Sequence, residues 1–102
     1  MTLSELKFLK EIPQNISPLI QAMWHDLHDD WEASHTIAQD IITPDGSWVH
    51  AYLHRKEGNR SNAQYWYNKA GRNMCTLSLE KEWEEIMNAL LKKEVTIQQI
   101  FH

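Results

Sequence analysis

Hydrophobic residues recur every three or four positions through most of the chain, a spacing that places them on one face of an α-helix. Six helices are predicted to begin at residues that typically cap a helix. These are residues 2–5 (a capping box), Ser17, Asp29 or Asp30, Ser47, residues 59–61 and Ser78. The first five helices are predicted to end at Pro13, near His28, at a turn over residues 43–46, at Gly58 and at Gly71. The pattern therefore predicts an all-α protein.

The sixth helix, predicted over residues 78–93, has the most regular amphipathic pattern. Its predicted inward face consists of Leu79, Trp83, Ile86, Met87, Leu90 and Leu91. A short apolar tail, residues 95–101, is expected to cover one end of the helical bundle.

The middle of the chain repeats weakly with a period of about 30 residues. The matching pairs are Ser17 and Ser47, Leu19 and Val49, Met23 and Leu53, Asp29 and Asn59, Ala33 and Ala63, and Ile37 and Tyr67. Small Ala33 and Ala63 are expected where two helices approach closely. These hairpins resemble tetratricopeptide and related repeats. We therefore expect one compact domain, residues 1–102, with two tetratricopeptide-like helix-turn-helix units over residues 17–71 and flanking helices.

The formal net charge is -4, and basic residues are interspersed with acidic ones, so no basic stripe suits a phosphate backbone. Nucleic acid is therefore not an expected partner. No apolar run is long enough to span a membrane, and no leader precedes the first helix. The single Cys75 allows neither an internal disulfide nor a thiolate metal cage. These features predict a cytoplasmic protein and leave its oligomeric state undetermined.

Residues 47–72 are richer in aromatic, histidine and arginine side chains than a plain helical hairpin needs. We predict a ligand-binding site formed by Trp31, His35, Gln39, Trp48, His50, His54, Arg55, Tyr65, Trp66 and Arg72. Aromatic faces beside guanidinium groups suit a small planar or anionic ligand, or a partner peptide that carries a carboxylate. The predicted function is small-ligand or peptide binding, with no cofactor. Arg55 and Glu57 are also expected to hold the turn before the fifth helix.

The alternative is a small enzyme that uses histidine acid–base chemistry or a His/Glu metal site. Two residue sets have the spacing of metal ligands: His50, His54 and Glu57, and His28, Glu32 and His35. Each set also fits histidines that stack or hydrogen-bond in a polar seam, so neither a metal ligand nor a catalytic residue is assigned. A binding module predicts an open groove. A metal or catalytic site predicts that the histidines converge. Packing among aromatic rings should lower the histidine pKa values below about 6.5.

A longer resemblance covers residues 31–72. It includes Trp31, Ala33, His35 and Gln39, then Trp48, His50, Ala51, Leu53, His54, Arg55, Glu57 and Gly58, then Asn62, Ala63, Tyr65, Trp66, Tyr67, Ala70, Gly71 and Arg72. This set is similar to a family of small uncharacterised proteins that have the same pattern. The resemblance implies a shared site without indicating its chemistry. The chain departs from the pattern at Asn59, where aspartate is expected, and both residues cap helices.

Overall fold

A computed structural model describes the backbone of residues 2–100 and the side chains of residues 2–93. Its six helices are α1 (Leu3–Phe8), α2 (Pro18–Leu27), α3 (Trp31–Gln39), α4 (Pro44–Lys56), α5 (Arg60–Ala70) and α6 (Leu79–Ile100). Residues 2–100 contain no β-strand, and the Cα radius of gyration is 13.1 Å, as a compact chain of this length requires. The predicted all-α compact fold is confirmed. None of the described helices has the length and apolar character to cross a membrane.

The predicted caps explain where several helices begin. The Thr2 hydroxyl accepts a hydrogen bond from the Glu5 backbone N–H at 3.2 Å and donates to the Glu5 carboxylate at 3.1 Å. Asp30 and Asn59 cap α3 and α5 in the same way, because each side chain accepts from a backbone N–H three residues later. These short polar side chains satisfy amide groups that have no partner within the helix.

The start of α4 differs from the prediction. Residues 43–46 form the first turn of the helix rather than a loop before it, because Thr43 caps the helix and Pro44 occupies its first position. The Thr43 hydroxyl accepts from the Gly46 N–H at 3.0 Å. A Cβ at Gly46 would lie 2.1 Å from the Ile41 carbonyl oxygen, so only glycine allows this close approach of α4 to the preceding chain. Ser47 is a buried helix residue and caps nothing.

Helix α4 lies at the centre of the molecule. Every residue from 46 to 54 is buried, with α5, α3, α6 and α2 packed around this segment. Helix α1 contacts α2 and α6. On α6 the predicted inward residues Trp83, Ile86, Met87 and Leu90 are buried, whereas Leu79 and Leu91 are partly buried. The helix continues beyond the predicted end at residue 93, and the side chains of the predicted apolar tail lie outside the described residues.

The α2–α3 and α4–α5 turns share one hydrogen-bond pattern. The Asp30 N–H donates to the His25 carbonyl, and the Asn59 N–H donates to the His54 carbonyl, each at 2.9 Å. The equivalent caps are therefore 29 residues apart (59 minus 30), instead of the predicted 30. This shift pairs the fully buried Ala63 with Ser34 rather than with Ala33. The tetratricopeptide resemblance stays a prediction.

Gly58 follows α4 with φ at +89°, a conformation that favours glycine because a Cβ is strained there. Gly58→Ala should lower the free energy of unfolding by about 1 kcal/mol, which corresponds to a melting temperature lower by about 4–8 °C. No atom lies within 4 Å of the added Cβ, so the loss isolates backbone strain. Gly58→Asn is the matched control, because asparagine tolerates this region, and it should lose less. An unchanged melting temperature for Gly58→Ala would show the strain argument to be wrong.

Candidate metal centre

Three histidines meet where α3 packs against α4. His50 and His54 lie one turn apart on α4, so their imidazoles share a face of that helix. His35 reaches them from α3. One nitrogen from each of the three side chains lies within 4.8 Å of the other two nitrogens. Because both helices are held by the surrounding core, these nitrogens are positioned by rigid elements rather than by loops.

The imidazole rings of the cluster contact one another directly. His35 Nε2 and His50 Nε2 are 2.9 Å apart, so one ring donates and the other accepts a hydrogen bond. The His50 and His54 rings stack with centroids 4.7 Å apart, and the His35 ring meets both edge-on. The cluster combines His50 and His54 from one predicted set of metal ligands with His35 from the other set. Neither predicted set contained all three histidines.

Two indoles form the walls of the cluster. Trp31 stacks on His35 with ring centroids 4.7 Å apart, and its N–H donates to the Leu53 carbonyl at 2.9 Å. Trp66 stacks on His50 with centroids 3.9 Å apart. These contacts fix the ring planes of His35 and His50 and keep water away from their faces. The predicted residues Trp31, His35, His50, His54 and Trp66 are thus brought together.

Glu57 contacts the cluster through the Nδ1 side of the His54 ring. Its Oε1 lies 2.6 Å from Nδ1 of His54. A carboxylate in this position holds the proton on Nδ1 and leaves Nε2 as the lone-pair nitrogen. Within the described residues Nε2 of His54 has no hydrogen-bond partner. The only buried side-chain nitrogen or oxygen atoms there without a partner are Trp24 Nε1 and Ser34 Oγ, so this Nε2 retains contact with solvent.

Burial favours the neutral form of His35 and His50. Burial, followed by repulsion from the neighbouring His35 and His54 rings, lowers the pKa of His50 to about 4. The pKa of His35 is also lowered, first by burial and then by His54, against the attraction of Glu57. The predicted direction is confirmed for these two residues. At neutral pH each has a ring lone pair, which is the form that binds a metal ion.

The remaining predicted site residues lie elsewhere. Arg55 does not bond to the turn; its guanidinium crosses to α6, donating to Glu82 Oε1 at 2.9 Å and to the Leu77 carbonyl. The Arg72 guanidinium lies 3.3 Å from the ring centroid of buried Trp48. Tyr65 is half-exposed and meets Trp66 edge-on, and Gln39 is exposed at the end of α3. The two arginines thus serve the packing around Trp48 and α6, outside the histidine cluster.

Two buried carboxylates were missed by the sequence interpretation. Fully buried Glu82 accepts hydrogen bonds from Trp48 Nε1 at 3.2 Å and the Tyr67 hydroxyl at 2.6 Å, beside its ion pair with Arg55. Burial, and then the hydrogen bond to Glu82, raise the pKa of Tyr67. Asp26 accepts from the Tyr52 hydroxyl at 2.7 Å and pairs with Lys56. Both carboxylates are compensated, so they stabilise the fold rather than form a reactive site.

The histidine cluster has the chemistry of a transition-metal site. A tetrahedral zinc ion with Zn–N distances of about 2.0–2.1 Å places its nitrogen ligands about 3.3 Å apart. The 2.9 Å separation of His35 Nε2 and His50 Nε2 is a few tenths of an ångström shorter, and the His54 nitrogen lies within 4.8 Å of the other two, so side-chain rotations must bring the three nitrogens to these distances around an ion. His28 and Glu32 stay outside, because His28 bonds and stacks on Trp24 while Glu32 is exposed.

Comparison with known proteins gives no relative: no family model, curated protein or solved structure matches the chain.

Proposed function

We propose that this protein binds a divalent transition-metal ion, zinc, through His35, His50 and His54. The observation that supports the proposal is the convergence of three imidazole nitrogens within 4.8 Å on two packed helices. Three histidines in an open groove would be expected to point apart into solvent. Imidazole nitrogens that converge, with a carboxylate hydrogen-bonded to a ring nitrogen of one histidine, are instead typical of histidine metal sites.

The donor set favours zinc over other common cations. Calcium and magnesium bind oxygen ligands, and this cluster offers imidazole nitrogen only. Imidazole suits zinc, copper, nickel and iron, and three neutral nitrogens that converge from two helices fit the tetrahedral geometry of zinc. Copper competes for nitrogen sites by its intrinsic affinity, so metal competition belongs in the test.

Recognition of a small planar or anionic ligand by the predicted pocket has less support. Binding of an anion by the predicted pocket requires the guanidinium groups of Arg55 and Arg72 beside the aromatic faces. Arg55 is instead engaged by Glu82, and Arg72 by Trp48. The faces of Trp31 and Trp66 that contact the cluster are occupied by His35 and His50. Five of the predicted ligand-binding residues, Trp31, His35, His50, His54 and Trp66, are therefore better explained as the ligands and walls of a metal site.

Zinc titration into protein freed of metal by a chelator tests the proposal. We expect one zinc ion per chain, measured by competition with a chromophoric chelator. Zinc at 100 times its dissociation constant should stabilise the fold by about 2.7 kcal/mol, because it binds only the folded chain. The melting temperature should then rise by about 10 °C or more.

His35→Gln is the informative variant, because His35 is the most exposed of the three ligands and its loss should leave the core intact. We expect zinc affinity to fall at least about 100-fold. His28→Gln makes the same chemical change at an exposed histidine outside the cluster and should bind zinc as the parent protein does. Equal zinc affinity in the two variants, or no saturable binding by the parent protein, would overturn the proposal.

A further inference from the structure

We infer that the metal ion keeps one coordination position open, and that this position takes water or a small anion from solution. The inference rests on the proposed function, and it decides between two kinds of zinc site. Structural zinc sites are closed by four protein ligands, whereas catalytic ones have three and leave the fourth position to water or substrate. The open position would make the ion available as a Lewis acid.

The cluster offers a bound ion three protein ligands, one fewer than a closed zinc site has. Among the residues whose side chains are described, the group that could hold a metal ion contains three histidines and no fourth histidine, cysteine, aspartate or glutamate. The nearest carboxylate is committed elsewhere, because Glu57 bonds to Nδ1 of His54 on the side of the ring away from Nε2. Cys75 lies in the loop between α5 and α6, and it does not belong to the group.

The residues of the cluster leave most of the positive charge of a bound ion uncompensated. Three neutral imidazoles leave the full double positive charge on a bound ion, and among the side chains of residues 2–93 only the Glu57 carboxylate hydrogen-bonds to the cluster to offset it. An ion with that excess charge attracts an anionic fourth ligand, such as hydroxide, azide or a small carboxylate. A cage of thiolates would have removed this attraction.

Part of the histidine cluster is accessible to solvent. Nε2 of His54 lacks a partner in the described part of the chain yet is not fully buried, and His35 is only partly buried. Solvent therefore reaches part of the cluster. The stacked rings of Trp31 and Trp66 occupy two sides of the cluster, so we expect room for a ligand of a few atoms rather than for a peptide.

Cobalt(II) in place of zinc makes the open position visible, because its visible spectrum reports coordination number and ligand type. Stoichiometric cobalt binding, abolished in His35→Gln, is measured first and tests the proposed function alone. Azide is then titrated into the cobalt-loaded protein. We expect a saturable spectral change with one azide per cobalt, and the same response from His28→Gln. Cobalt that binds fully while azide leaves the spectrum unchanged would overturn the inference and leave the metal site standing.

Glu57→Gln removes the carboxylate that, among the described side chains, hydrogen-bonds to the cluster and could turn inward as a fourth ligand. Glutamine keeps the length of the side chain and an oxygen that accepts from His54 Nδ1. If the position is open in the parent protein, azide should bind the cobalt-loaded parent and Glu57→Gln with the same stoichiometry of one azide per cobalt, since no carboxylate is displaced, although loss of the Glu57 carboxylate weakens the affinity for the metal. Azide binding that occurs only in Glu57→Gln would show that Glu57 closes the site, and would contradict the inference.

Discussion

Glu82→Ala should lower the free energy of unfolding by about 3–5 kcal/mol, one of the largest effects of any single substitution in this chain. The Glu82 carboxylate is fully buried and accepts from Arg55, Trp48 and Tyr67. Alanine leaves these donors without their partner inside the protein, and removing one member of a buried ion pair costs far more than the pair contributes. Urea denaturation followed by far-UV circular dichroism measures the loss.

Glu84→Ala is the matched control on the same helix. Glu84 is partly exposed, and its carboxylate is 3.7 Å from Lys7, so the substitution removes a surface ion pair worth at most about 1 kcal/mol. Glu82→Gln keeps the shape of the side chain and one acceptor oxygen, and should lie between the two. A loss below about 1 kcal/mol for Glu82→Ala would show that the three donors find other partners and that Glu82 does not organise the core.

Acidification should destabilise the metal-free protein. The pKa of His50 is about 4 in the folded chain and about 6.5 when unfolded, so between these values the unfolded chain binds more protons. Its contribution to stability is complete above pH 6.5 and is lost as the pH falls toward 4. We expect a loss of about 1–2 kcal/mol from His50 between pH 7 and pH 5, allowing for the cluster's contact with solvent. His35 adds to the loss, because its pKa is also lowered.

Urea denaturation in the presence of a chelator at a series of pH values measures this dependence. His50→Gln removes the titrating group, so the pH-dependent loss should shrink in that variant even though its stability at pH 7 is lower. The difference between the two pH profiles isolates the histidine from the carboxylates. A free energy of unfolding that rises from pH 7 to pH 5.5 would contradict the account, because it would mean that ion pairing raises the histidine pKa values.

Most of the helices could be predicted from local features of the sequence, chiefly the residues at their ends. The capping residues Thr2, Asp30 and Asn59 mark their helices because each side chain competes successfully for a backbone N–H. Gly58 and Gly71 mark helix ends because both adopt positive φ. The start of α4 was misplaced at Ser47 although Thr43 and Pro44 already form a cap and first helical position.

The cluster could be predicted only in part. The pairing of His50 with His54 follows from helical spacing, but their meeting with His35 depends on how α3 crosses α4, which the approach of Gly46 to Ile41 helps to set. No local pattern encodes that crossing. Glu82, in contrast, left a signal that was overlooked. It lies three residues after Leu79 and four before Ile86, so it belongs to the apolar stripe of α6 and had to be buried.

X-ray absorption at the zinc edge tests the central claim most directly, since it reports the ligands of the bound ion. The zinc-loaded protein should show four nitrogen or oxygen ligands at about 2.0–2.1 Å, three of them with the outer-shell scattering of imidazole rings. His35→Gln should lose one imidazole from that shell. A sulfur ligand at about 2.3 Å, or a shell with fewer than two imidazoles, would contradict a site built from His35, His50 and His54.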